Sequence, residues 1–177
     1  ETSPGMMLIE MSAYVGDVMS YYVDQQYREM MLPLSEDRKN LIALAKSYGY
    51  NTRILNAVEK VNQEQKKILI DKILFHFKGS LTNCVFGLWG LSFKPKTDDM
   101  REAPSRIIIE TLVELGAKIK AYDPVAMGEC KKLYSNQPNL SLCKNKNEAI
   151  KGSDALILAT EWKSFQSPDF SLMKELL

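Results

Sequence analysis

Residues 84–91, Cys-Val-Phe-Gly-Leu-Trp-Gly-Leu, decide the fold of this chain of 177 residues. The run is short and apolar and ends in glycines, which is typical of a strand buried inside a parallel sheet. After it, apolar strands alternate with helical stretches at the spacing of successive β-α units. Such alternation implies right-handed crossovers and helices on both faces of the sheet. We therefore predict an α/β, Rossmann-like domain over residues 80–177.

The elements that follow this first strand are predicted from periodicity and from the positions of glycine and proline. We expect helices at residues 104–115, 125–134 and 146–151, and strands at residues 117–122, 140–142 and 155–159. Ser167 and Pro168 are expected to begin a last helix.

Upstream of residue 80 the sequence predicts only helices. Apolar residues recur at helical spacing from Met7 to Tyr22, a second amphipathic helix begins at Ser35, and a third apolar stripe runs from about residue 55 to residue 77. We expect a helical hairpin over residues 1–48 and a connecting helix over residues 49–79. The apolar face of the hairpin must be covered by the connecting helix or by a second copy, and the second alternative predicts a homo-oligomer through residues 1–79.

The composition argues against several classes of function. The 23 basic and 22 acidic residues leave a net charge of +1, so no charge imbalance calls for a nucleic acid or an anionic membrane. No run reaches the roughly 18 apolar residues of a membrane span. The three cysteines have no CxxC spacing and there is one histidine, so neither a zinc site nor a disulfide framework is expected. We predict a cytoplasmic protein without a nucleic-acid or membrane partner.

The loop after the first strand is the candidate site, because ligands of such sheets bind beyond the carboxyl ends of the strands. Gly87 and Gly90 lack the third glycine of the dinucleotide fingerprint GxGxxG, so a phosphate cradle and a plain tight turn remain alternatives. A polar stretch follows, and its charges Lys94 and Arg101 suit phosphate oxygens. The alternative for both is a solvated loop charge.

Several motifs in this half of the chain carry a resemblance to a known family. They are Gly87–Lys94 (GLWGLSFK), Thr97–Pro104 (TDDMREAP), Gly116-Ala117, Tyr122-Asp123-Pro124, Ser153-Asp154-Ala155 and Ala159–Lys163 (ATEWK) followed by Phe165. In order and spacing they resemble the UDP-glucose/GDP-mannose dehydrogenase family. Residues 48–62 are similar to the start of the helix that connects the two halves of that family, so the resemblance covers about residues 48–177.

The resemblance implies an oxidoreductase. The family oxidises the C6 alcohol of a UDP-hexose to a carboxylate with NAD, through intermediates bound to a cysteine, and its C-terminal domain supplies contacts to UDP. By position, Phe93 and Lys94 would hold the UDP-sugar, and Arg101 would reach the NAD bound by the N-terminal domain. NAD is the implied cofactor, and UDP is favoured over GDP by the resemblance alone.

The sequence departs from the family in its catalytic parts. Where the family has a Gly-Ser-Cys-Phe-Pro-Lys-Asp loop, residues 31–37 read Met-Leu-Pro-Leu-Ser-Glu-Asp, without the nucleophilic cysteine. Cys84 in the first strand, and Cys130 and Cys143 far from the motif, do not replace it. The NAD-binding domain is absent, and both ends read as truncated. We therefore expect no catalytic residue in this chain and no activity from the chain alone.

Two alternatives come from other classes of protein. Residues 3–11, 14–17 and 21–24 resemble tailed-phage baseplate wedge proteins, which suggests a junction near residues 41–50, by recombination or by sequence misassembly. On that reading the chain is a structural assembly component, and its α/β domain is a passenger. The other alternative is a nucleotide-binding regulator that keeps the UDP site without chemistry.

Overall fold

The computed structural model describes residues 34–177, and these residues belong to two compact units that meet in sequence between Lys67 and Ile68. The predicted helix from Met7 to Tyr22, the hairpin that it would form, and the motifs that resemble a baseplate protein lie outside the described residues. No observation on residues 34–177 supports the baseplate alternative.

The described part of the first unit, residues 34–67, is helical, as predicted. It contains α1 (Leu34–Ser47) and the first part of α2 (Arg53–His76). Gly49 follows α1 with a φ of +76°, a left-handed conformation that glycine adopts without steric cost. The N–H of Tyr50 then donates to the carbonyl of Ala45 (2.9 Å), and this bond closes the end of the helix.

The second unit alternates strands and helices, which confirms the predicted Rossmann-like α/β fold. After the last turns of α2 come β1 (Val85–Trp89), α3 (Pro104–Glu114), β2 (Lys118–Tyr122), α4 (Met127–Leu133), β3 (Leu140–Leu142), α5 (Lys146–Ile150), β4 (Ala155–Leu158), a 3-10 turn (Lys163–Phe165) and α6 (Phe170–Leu176). All strand pairs are parallel, and the order across the sheet is β3-β2-β1-β4.

Successive residues of each strand point to opposite faces of the sheet, and each face buries its own apolar cluster. On one face Phe86 and Leu88 of β1 belong to a cluster with side chains of α2, α3 and α4. On the other face Trp89 and Leu156 belong to a cluster with residues of α5 and α6, among them Ile150. Helices therefore cover both faces, and the end of α2 from Leu69 onward is part of the core.

Several predicted boundaries differ from those in the structure. α4 begins at Met127, two residues later than expected, and the turn before it is held by the Asp123 carboxylate, which accepts the N–H groups of Val125 and Ala126. α6 begins at Phe170, since the Asp169 side chain caps it by accepting from the N–H of Leu172 (3.0 Å). Cys84 precedes β1 and is half-buried, whereas the sequence predicts it inside the strand.

None of the helices between residues 34 and 177 is long and apolar enough to cross a membrane.

Candidate functional site

The candidate site is the loop of residues 90–103, which we call the site loop. It begins at the carboxyl end of β1 and ends where α3 begins. β1 is flanked by β2 on one side and by β4 on the other, so the chain changes direction across the sheet at this strand. In open parallel sheets, ligands bind in the crevice at such a switch point. The fold therefore places the site loop where a ligand is expected.

The two glycines of β1 and the site loop are required by packing inside the protein. Gly90 has a φ of +93°, and a Cβ atom there would lie 2.5 Å from the backbone nitrogen of Thr160. A Cβ atom on Gly87 would lie 2.8 Å from the carbonyl oxygen of Ala149 in α5. Real Cβ contacts are not this short, so neither position tolerates a side chain. Of the two readings of this Gly-x-x-Gly pattern, the geometry favours the tight turn over a phosphate cradle.

Asp123, directly after β2, anchors the start of the site loop. Its side chain is buried, with 1% exposed. Its Oδ2 atom accepts hydrogen bonds from the N–H groups of Leu91 (2.7 Å) and Ser92 (3.2 Å), and from the Ser92 hydroxyl (3.3 Å). The same oxygen accepts from the indole Nε1–H of Trp162 (3.1 Å), which follows β4. One carboxylate thus joins the segments that follow β1, β2 and β4.

The other oxygen of this carboxylate shapes its own turn. Oδ1 of Asp123 accepts from the N–H groups of Val125 and Ala126, both at 2.8 Å. Asp and Asn side chains commonly bond to the backbone a few residues on in this way, and they fix turns by doing so. Both oxygens of Asp123 are therefore engaged, one within its own turn and one by neighbouring loops.

The carbonyl groups of the same loop segment are held as well. The Ser105 hydroxyl, in the first turn of α3, donates to the carbonyl of Leu91 (2.5 Å), and the Thr160 hydroxyl donates to the carbonyl of Ser92 (2.6 Å). Ser92, Ser105 and Thr160 are all buried. The peptide groups of Leu91 and Ser92 are consequently bonded on both their N–H and C=O sides. The backbone is fixed just before residue 93.

Phe93 and Lys94 are the first exposed side chains after this fixed segment. Phe93 is 37% exposed although it is aromatic, and its N–H donates to the carbonyl of Asp99 (2.8 Å). That bond draws the two arms of the site loop together. The structure thus presents an aromatic ring and an ammonium group side by side in sequence, at the carboxyl edge of the sheet.

Arg101, the third predicted site residue, lies on the returning arm of the loop. Its guanidinium forms a forked ion pair with Asp99, in which Nη2 and Oδ2 are 2.9 Å apart. The hydrogen bond from Arg101 lowers the pKa of the Asp99 carboxyl, and the positive charges of Arg101 and Lys94 add to this effect. Lys94 and Arg101 therefore both act on one carboxylate, and the loop brings these two predicted residues into one electrostatic group.

Two residues of the site loop have a left-handed backbone without being glycine. Lys96 has a φ of +66° and follows Pro95 in a turn, and Glu102 has a φ of +57° just before α3. Such conformations cost about 1–3 kcal/mol each and cluster at functional sites, where the surrounding structure imposes them. The loop thus has a specific shape imposed by its anchors, in contrast to a loop that merely spans a gap.

The three cysteines are free thiols without the environment of a nucleophile. Burial, followed by the charge of Asp123, raises the pKa of Cys130 to about 12. Burial is also the main cause that raises the pKa values of Cys84 and Cys143. A raised pKa disfavours the thiolate, which is the reactive form. Among residues 34–177 no group of three or more His, Cys, Asp or Glu side chains is arranged to hold a metal ion.

Sequence reasoning assigned no role to Asp123, Thr160 and Trp162, although all three stand in motifs that carried the resemblance. For Asp123, which directly follows β2, the available signal is a polar residue at the end of a strand, which in a parallel sheet marks the ligand edge. The bonds between different loops could not be predicted from the sequence, because their partners lie 31 to 68 residues apart.

The comparisons with known proteins concern the α/β domain that contains the site loop. The model of the UDP-glucose/GDP-mannose dehydrogenase family, UDP binding domain, matches residues 87–177, just over half of the chain. A UDP-glucose 6-dehydrogenase of Pseudomonas aeruginosa is 40% identical over 142 residues, which are 78% of this chain and 31% of that protein. The corresponding figures for a UDP-glucose 6-dehydrogenase of Bacillus subtilis are 37% identity, 80% and 32%.

A solved structure shows the same relationship. The UDP-glucose dehydrogenase of Pyrobaculum islandicum superposes with a TM-score of 0.69 and 27% identity, over 76% of this chain and 30% of that one. The chain spans about a third of the length of the relatives that it matches. The family model, the relatives and the shared fold lead to one conclusion: the chain belongs to the UDP-glucose/GDP-mannose dehydrogenase family and contains its UDP-binding domain.

Proposed function

We propose that the site loop binds the UDP moiety of a UDP-sugar, with Phe93 and Lys94 as direct contacts. The observation that carries the proposal is the fixed backbone at Leu91 and Ser92, which presents these two exposed side chains at the ligand edge of a UDP-binding domain. A ring is suited to pack against a flat base or a sugar face, and an ammonium group to pair with a diphosphate. The match to a UDP-binding domain and the relatives named UDP-glucose 6-dehydrogenase support UDP over other nucleotides.

The proposal for the complete enzyme is NAD-dependent oxidation of UDP-glucose, or of a similar UDP-hexose, to the UDP-uronate. It is supported by the relatives named UDP-glucose 6-dehydrogenase. The NAD would be held by another domain. Atoms of Ala149 and Thr160 occupy the space beside Gly87 and Gly90, so these glycines leave no room for a pyrophosphate. Within this chain, only Arg101 is proposed to reach the NAD.

The proposal also covers the organisation of the chain. We assign residues 1–48 to a helical appendage, residues 49–79 to a connecting helix and residues 80–177 to UDP binding. The exposed side chains of Leu44, Tyr48 and Ile54 support a homo-oligomer formed through the first 79 residues. The free thiols support a cytoplasmic location, since disulfides are rare there.

Calorimetric titration of the purified chain with UDP, GDP and NAD tests the binding proposal. We expect saturable binding of UDP, weaker binding of GDP and none of NAD. Lys94→Ala should weaken UDP binding roughly tenfold, since a charge-assisted bond to phosphate contributes about 1.5–3 kcal/mol. The matched control is Lys118→Ala, which removes the same charge from the amino end of β2, at the opposite edge of the sheet.

Equal losses in the two variants would mean that Lys94 acts only through the overall charge. Absence of UDP binding by the unmodified chain would contradict the proposal itself. Binding of UDP together with production of NADH would show that the chain contains more of the catalytic apparatus than proposed.

A further inference from the structure

The side chain that controls the shape of the site loop is itself buried. The Asp123 carboxylate accepts six hydrogen bonds and is 1% exposed. Its donors come from three separate segments, which follow β1, β2 and β4. A ligand in the crevice at the carboxyl edge would meet these segments, whereas the carboxylate lies beneath them.

The Asp123 carboxylate acts on the proposed contact residues through the backbone. Leu91 and Ser92 donate their N–H groups to Asp123, and the next residue along is Phe93, the first proposed contact. Rotation about either peptide would displace both Phe93 and Lys94. In enzyme active sites a misplacement of about 1 Å can cost about a hundredfold in reaction rate, which shows how strongly such sites depend on geometry.

We propose that Asp123 is a positioning residue of the UDP site: its buried carboxylate sets the backbone from which Phe93 and Lys94 reach the ligand, and it couples that backbone to Trp162 after β4. This inference rests on the proposed function of the site loop. Asp123 does not touch the ligand. Its contribution is to hold the binding conformation before the ligand arrives, which reduces the entropy lost on binding.

An amide cannot replace this carboxylate. Asparagine has one oxygen and one NH₂ group, and the NH₂ group donates only. In one orientation the NH₂ group faces the N–H groups of Leu91 and Ser92 and the indole of Trp162. In the other it faces the N–H groups of Val125 and Ala126. Either orientation leaves buried donors without an acceptor.

The test compares Asp123→Asn with Asp154→Asn in the full chain. Asp154 is the matched control because its carboxylate also accepts a backbone N–H, that of Val85 (2.7 Å), but at the amino end of β1. For each variant we would measure the UDP dissociation constant by calorimetry, the urea unfolding midpoint, and hydrogen exchange at the amides of Leu91 and Ser92.

We expect Asp123→Asn to raise the UDP dissociation constant roughly tenfold, equivalent to about 1.4 kcal/mol, and to speed exchange at Leu91 and Ser92. Asp154→Asn should change neither quantity, because the oxygen of asparagine can still accept from the N–H of Val85. If the unmodified chain binds UDP and Asp123→Asn binds it equally well, the positioning role is overturned and the proposed function stands. No UDP binding by the unmodified chain would overturn the proposed function, and this inference with it.

A second variant keeps the test decisive if Asp123→Asn does not fold. Trp162→Phe retains a six-membered aromatic ring and removes the Nε1–H donor to Asp123, together with the rest of the five-membered ring. We expect it to raise the UDP dissociation constant several-fold and to speed exchange at the amide of Ser92. Unchanged binding together with unchanged exchange would show that Trp162 and Asp123 do not position the loop.

Discussion

Gly90 shows how a single residue can be essential without touching a ligand. It lies where β1 ends, and its missing side chain lets the segment after β4 approach, so that Thr160 packs against it. The approach in turn places the Thr160 hydroxyl 2.6 Å from the carbonyl of Ser92. The glycine thus belongs to the packing between two loops that are distant in sequence.

We expect Gly90→Ala to lower the free energy of unfolding by about 2–4 kcal/mol, because the new Cβ atom meets backbone at Thr160 and the left-handed φ disfavours a side chain. Urea unfolding followed by circular dichroism measures the change. The control is Gly128→Ala in α4, where a Cβ atom meets nothing within 4 Å. That variant should keep or slightly raise stability, since alanine favours helix. A loss of similar size in both variants would contradict the packing argument.

At the same scale, none of the three cysteines has the environment of a reactive thiol, because burial raises the pKa of each. Burial, followed by the charge of Asp123, raises the pKa of Cys130 to about 12, which keeps the thiol protonated at neutral pH. The lysine and arginine predicted as ligand contacts lie in one loop around Asp99.

Among the secondary-structure elements, α6 shows which capping signal the chain uses. The sequence predicted that Ser167 and Pro168 begin the last helix. In the structure Asp169 is the N-cap, and its carboxylate accepts from the N–H of Leu172. Serine and aspartate are both good caps, so the choice depends on where the 3-10 turn of Lys163–Phe165 leaves the chain.

We expect Asp169→Ala to lower the free energy of unfolding by about 1 kcal/mol, the usual cost of losing an N-cap. Ser167→Ala, in the same exposed segment, should change it little. Chemical denaturation of the two variants provides the comparison. A larger loss for Ser167→Ala would place the start of the helix where the sequence had predicted it.

For the whole molecule, we expect no NADH from the purified chain with UDP-glucose and NAD. Hydride transfer needs the nicotinamide held at about 3–3.5 Å from the reacting carbon, and no loop between residues 34 and 177 has the dinucleotide fingerprint. NADH fluorescence measures the outcome, and the UDP-glucose 6-dehydrogenase of Pseudomonas aeruginosa is the positive control. NADH formation by this chain above the background without enzyme would contradict the expectation.

The sequence by itself determined the α/β architecture and the family. Strands and helices have local signatures: β1 is a short apolar run, and Pro104 and Gly116 mark the two ends of α3. The motifs of the site loop are likewise contiguous, so their order and spacing could be recognised before any contact was known.

Only the tertiary structure decided how the site loop is held. Asp123 bonds to residues 31, 32 and 39 positions away, and Thr160 to a carbonyl 68 positions away. Such contacts depend on which strands become neighbours, and the order β3-β2-β1-β4 brings three loops to one edge. A buried carboxylate needs donors to offset its desolvation, and folding alone brings those donors together.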